Sequence, residues 1–186
     1  MSILTATSDD VGGKGGKPLP NAKWASIIEE AQANMPDGNG TRFFARLGQI
    51  TTPEGSSEYT NGDASAPYRI GNRKVFVREW TDHTSQQAVE IGERRIKQLL
   101  MATGIIPKPE KGKAVDLAAL FGTTTESETY EKIAQAVVGR RVVFTSKQRP
   151  RLTKQQNEQG VEVLVPKLDA EGMAIVDVEV AAFHTA

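Results

Sequence analysis

The six residues "MPDGNG" (35–40) carry the densest turn chemistry in the chain, Pro-Asp-Gly running into Asn-Gly. They must reverse the chain between "KWASIIEEAQA" (23–33) and "TRFFARLGQIT" (41–51). Trp24, Ile27, Ile28 and Ala31 also fit one face of a helix. The second segment needs a partner, however, so a β-hairpin is the reading that satisfies both. Side chains alternate along a strand. The second segment therefore places Phe43, Ala45 and Leu47 on one face and Arg42, Phe44 and Arg46 on the other.

"RKVFVREW" (73–80) is a third strand of the same kind. Val75 and Val77 form an ordinary core face, while Lys74, Phe76, Arg78 and Trp80 alternate cation with aromatic on the opposite face. "SQQAVEIGERRIKQLLMATG" (85–104) is the clearest helix. Its apolar stripe is Ala88, Ile91, Ile96, Leu99 and Leu100, with Glu93, Arg94, Arg95 and Lys97 mostly on the wet side. Ser85 can cap its start and Gly104 can end it. After the Pro- and Lys-rich link "PKPEKGK" come two short helical pieces, "AVDLAALFG" and "TYEKIAQAVVG". "RRVVFTSKQRPRLTKQQNEQGVEVLVP" (140–166) then reads as a strand, a polar loop and a returning strand, and "MAIVDVEVAAF" as a last strand. Residues 52–67 form a polar loop, and residues 1–20, rich in Gly, Pro and Lys, a flexible arm. "GGKGGKP" within that arm lacks the spacing of a phosphate-binding loop.

Strands with one helix after the third predict a mainly β fold with helices, an OB-like five-stranded barrel with the helix between strands 3 and 4. That domain spans 21–186 and carries a helical insertion at about 107–138. Composition removes other classes. The chain has 186 residues and no cysteine, which excludes disulfides and thiolate metal sites. Its two histidines, His83 and His184, are far apart in sequence. No apolar run approaches the ~18 residues of a membrane span, and acids stand where a signal peptide needs cations, so a cytosolic protein without membrane contact is expected.

Asn72–Lys74 opens a strand, Gln87–Ile91 and Ala102–Gly104 lie in the helix, and Val138–Val142 opens a later strand. Together these short motifs resemble a family of small phage proteins of replication and recombination modules, regarded as single-stranded-DNA-binding proteins. The resemblance extends loosely over residues 20–186. It implies an OB fold and sequence-tolerant binding of single strands, with no cofactor and no catalysis. The partners implied are single-stranded DNA and phage replication or recombination proteins, and homo-oligomers are compatible with the reading. Two departures stand out: a longer insertion at 107–136, and an ending, "AAFHTA", without the acidic tail that many such proteins use to recruit partners.

The chemistry of single-strand binding fits the alternating stripes, because cations follow phosphates while aromatic faces stack unpaired bases. Candidate contacts are Arg42, Phe44, Arg46, Lys74, Phe76, Arg78 and Trp80. The ordinary alternative is that these aromatics are covered by the helix or the insertion, with the cations at the rim. A second candidate is the run from Arg140 to Asn157, whose cations have no acid among them: Arg140, Arg141, Lys147, Arg149, Arg151 and Lys154. The net charge of the chain is zero, with 23 basic and 23 acidic residues, so such a run is a segregation of charge. The overlapping hairpin "TSKQRPRLTKQQNEQG" (145–160) is expected to act as a mobile clamp on the DNA backbone through Lys147, Arg149, Arg151 and Lys154. Its plain alternative is a solvated hairpin that blunts a sheet edge. Two other functions compete. One is a phage structural or assembly protein using its strands as a subunit interface. The other is a metal-dependent nuclease built on Asp177, Glu179 and Glu162, against which no E-x-K signature follows.

Overall fold

The computed structural model describes residues 18–60, 67–108, 115–157 and 159–184. The turn at Gly38 and Asn39 joins β1 (Lys23–Asp37) to β2 (Gly40–Thr51), so the first segment is a strand and the hairpin forms as expected. Asp37 faces Gly40 across the turn. Gly40 has φ of 149°, and a Cβ there would run into the Asp82 carbonyl of the neighbouring strand. Only glycine lets the hairpin tip lie this close to β5 (Val75–His83).

The sheet has five antiparallel strands in the order β5-β2-β1-β6-β9, where β6 is Arg141–Pro150 and β9 is Val176–His184. Three successive strands lie side by side and the next returns beside the first, which is Greek-key order. β1 serves both halves. It pairs with β2 from Ala25 to Asp37 but with β6 only from Lys23 to Ile27. Register shifts at Ala25/Ile27, Ile28/Glu30 and Gln32/Met35 bend it between these tasks. Where β6 leaves, helix α3 takes its place: Asn34 Nδ2 donates to the Ser127 carbonyl (3.2 Å) and to Glu131 Oε1 (3.1 Å).

Among the described residues three helices accompany the sheet: α1 (Gln86–Ala102), α2 (Leu117–Phe121) and α3 (Glu126–Val137). Asp116 and Thr125 accept backbone N–H bonds that start α2 and α3, and Gly122 ends α2 in the left-handed region. The core gathers Trp24, Ile28, Phe43, Leu47, Val75, Phe144 and Ile133 with Ile96, Leu99 and Leu100 of α1. Trp24 Nε1 donates to Ser146 Oγ at 2.7 Å, which satisfies the one polar atom of the buried indole.

Four expectations need correction. Leu19 belongs to the predicted arm yet is fully buried in the core; residues 1–17 lie outside the described residues. The polar stretch 52–67 contributes Tyr59 on β3 (Glu58–Tyr59), and Tyr68 follows on β4 (Tyr68–Arg69). Both rings pack on Trp24, with centroids at 5.1 and 6.4 Å. The polar loop after β6 is a two-stranded arm, with β7 (Leu152–Gln156) paired to β8 (Glu162–Pro166). The returning strand therefore pairs with β7, and it is β9 that lines up against β6. Finally, Ile91 of the apolar stripe remains 40% exposed, while Arg95 from the supposed wet face turns inward.

The sheet is not closed. β5 and β9 are its two edges, and no ladder joins them. Helix α1 lies against β5 closely enough that a Cβ at Gly92 would strike the Trp80 carbonyl. From that position Arg95 spans the seam, donating from Nε to Glu79 Oε1 (2.5 Å) on β5 and from Nη2 to the Val180 carbonyl on β9.

Candidate nucleic-acid interface

The register between β2 and β5 decides what the two stripes form. Arg42 lies opposite Trp80, Phe44 opposite Arg78 and Arg46 opposite Phe76. Every cross-strand pair thus joins a cation to an aromatic, and all six side chains share the face that points away from Phe43, Ala45, Val75 and Val77. The rings of Phe44 and Phe76 stack at 5.7 Å between centroids, inclined by 28°. The Arg42 guanidinium lies 3.6 Å over the Trp80 ring, and His83 approaches the same ring at 4.2 Å. Arg78 stands 5.7 Å from the centre of Phe76.

The face is less bare than its sequence. Phe44 is only 6% exposed, whereas Phe76 and Trp80 are half-buried. Carboxylates from β1 have also moved in. Asp37 holds Arg42 Nε at 2.8 Å, Glu30 holds Arg46 at 3.0 Å, and Glu29 pairs with both Arg46 (3.4 Å) and Lys74. Three cations of this face therefore meet three acids. The signal was present in the sequence as "EE" at 29–30. Only the bulge between Ile28 and Glu30 reveals that both acids reach the same arginine.

The second basic cluster divides. Arg141 begins β6, and its Nη2 donates to the Pro53 carbonyl at 3.0 Å, at the other end of the strand from Lys147 and Arg149. Arg149 pairs with Glu179 (2.6 Å), Arg151 with Asp177 through two bonds (2.6 and 3.3 Å), and Lys154 with Glu162 (2.6 Å). Lys147 is exposed, as is Arg140. A run with no acid in sequence thus has half of its six cations paired with carboxylates in space. The same pairs engage each of the three carboxylates considered for a metal. Among the described residues no group of three His, Cys, Asp or Glu side chains is placed to hold a metal ion.

Between the strand edges lies a cleft of about 410 Å³ that sequence reasoning missed. Phe76 and Arg78 form one wall, Arg149, Asp177 and Glu179 the other, and Ile91 and Arg95 come from α1. Glu79 also lines it and is 8% exposed. Burial pushes its carboxyl above the ordinary 4.5, and the Arg95 cation beside it offsets only part of that effect. Among the described residues no helix is long and apolar enough to cross a membrane. No protein-family model and no curated protein matches the chain.

Proposed function

We propose that this chain is an OB-type protein that coats single-stranded DNA without regard to sequence, in phage replication or recombination, and that it performs no catalysis. The observation that carries the reading is the register of β2 against β5. It places three cation–aromatic pairs side by side on one sheet face. Greek-key strand order with a helix between the third and fourth strands of the sheet supports the OB assignment. Ligands of OB folds run over the face of strands 2 and 3, which here are β2 and β5.

Magnitudes favour binding despite the acids. A partly exposed ion pair is worth ~0–1 kcal/mol, whereas each base stacked on an aromatic side chain contributes ~1–3 kcal/mol. Guanidinium groups can therefore exchange a carboxylate for a phosphate at little cost while the rings supply the affinity. A fluorescence titration with poly(dT), repeated at several salt concentrations and against duplex of equal length, tests this. Binding to the single strand that falls with salt, with much weaker binding to duplex, is expected. Absence of binding, or equal affinity for both forms, rejects the reading.

One observation favours a second reading, a phage structural or assembly protein. Leu152, Val161, Leu164, Leu168 and Met173 are all exposed on or beside the β7–β8 arm. Concentrated apolar surface marks an interaction site. Light scattering that finds large particles without DNA would select it.

A further inference from the structure

We propose that the open seam between β5 and β9 is a base pocket, taking one unstacked nucleobase from the strand that crosses β2 and β5. This inference rests on the single-strand reading and gives that site its terminus. The seam continues the candidate face without a break, since Phe76 and Arg78 belong both to the cation–aromatic pairs and to the wall of the cleft. Its volume, about 410 Å³, falls within the ~300–1,000 Å³ of small-ligand clefts. Ile91 supplies an apolar surface there. It is the member of the α1 stripe that the core leaves exposed, and it lies beneath the gap rather than under the sheet. Phe76 offers a ring to the cleft, and Arg78 and Arg149 line it from β5 and β6, where they can meet the phosphates flanking an inserted base.

The competing occupant of two unpaired strand edges is an extended peptide. Inserting one requires roughly 9.6 Å between β5 and β9, two strand spacings of ~4.8 Å. Parts of the two edges come within 8 Å, Cα to Cα, and Arg95 already spans them. A planar base is thin enough to enter where a strand is not.

The absence of cysteine from the chain makes the test direct. Ile91→Cys places a single thiol in the cleft; Leu120→Cys places one on α2, at an exposed position away from the cleft. Saturating oligo(dT) of about 12 nucleotides, within the ~4–16 covered by one OB fold, should slow N-ethylmaleimide labelling at position 91 at least tenfold and leave position 120 unchanged. Once labelled at 91, the protein should bind the oligonucleotide ~5- to 150-fold more weakly, the value of one lost stack. Equal labelling with and without bound oligonucleotide, or full affinity after labelling at 91, overturns the pocket alone. Failure of the unmodified protein to bind any oligonucleotide overturns the single-strand reading and the pocket together.

Discussion

Phe44 and Phe76 stack on each other yet stand in different circumstances. Phe44 is buried beneath its neighbours and Phe76 is half-exposed at the edge of the cleft. Truncating a buried phenylalanine costs ~3–5 kcal/mol of stability, whereas a half-exposed ring at a sheet edge costs far less. Phe76→Ala should therefore weaken poly(dT) binding by ~1–3 kcal/mol while barely moving the unfolding temperature. Phe44→Ala should chiefly destabilise the fold. Normal binding by a folded Phe76→Ala protein would remove it from the stacking surface. The acids make a second prediction at this scale. Asp37 competes with phosphate for Arg42, so Asp37→Asn should tighten binding by ~0.2–1 kcal/mol at low salt, the worth of an exposed pair, and change nothing at high salt. An unchanged affinity at low salt would mean that Arg42 does not touch the backbone. Both stripes were legible from alternation alone. That one of their rings is buried was not, because exposure depends on how the cations fold over it.

The elements best read from sequence are those bounded by chemistry with a single geometric meaning. Asp-Gly-Asn-Gly permits little besides the β1–β2 turn, and Gly104, at φ 71°, lies just beyond the end of α1. Charge counted along the chain does not reveal the pairing of the β7–β8 arm. The cations of 147–154 are near one another in sequence, but the carboxylates that meet them arrive from β8 and β9 only once the strands pair. This changes the expected salt response. Four unopposed cations on a single strand would contribute a log–log slope of about −0.7 × 4, roughly −3. A cation that leaves a carboxylate for a phosphate exposes an anion that recruits a counterion again, so its net release is small. Converting Lys147, Arg149, Arg151 and Lys154 to Gln should then flatten the slope by only ~0.7, the share of Lys147. Flattening by about 3 would restore the clamp; no flattening would leave the cluster as a solvated arm.

On the scale of the whole molecule, a mainly β fold with helices was legible from the sequence of strands and helix, but neither the place of β9 beside β6 nor the open seam was. Whether the two edge strands meet depends on the tilt and twist of the strands and on one long side chain that helical periodicity assigns to solvent. Arg95 links those edges through Glu79 and the Val180 carbonyl, so the ionisation of Glu79 is coupled to the integrity of the seam between β5 and β9. The groups acting on that carboxyl are Arg95 of α1, Arg42 of β2 and Glu179 of β9, and burial outweighs the two cations. Its folded pKa is therefore raised above the ordinary 4.5. A raised folded pKa means that the native state holds the proton more tightly than the unfolded chain. The stability this contributes is complete below the unfolded value and is lost as pH rises through the folded one. Glu79→Gln keeps an acceptor for Arg95 and cannot titrate. The unfolding temperature of the native protein minus that of Glu79→Gln should consequently fall as pH is raised from about 4 towards neutrality, then level off. A difference that instead grows over this interval would mean that Arg95 outweighs burial and that the seam is held by a fully ionised pair.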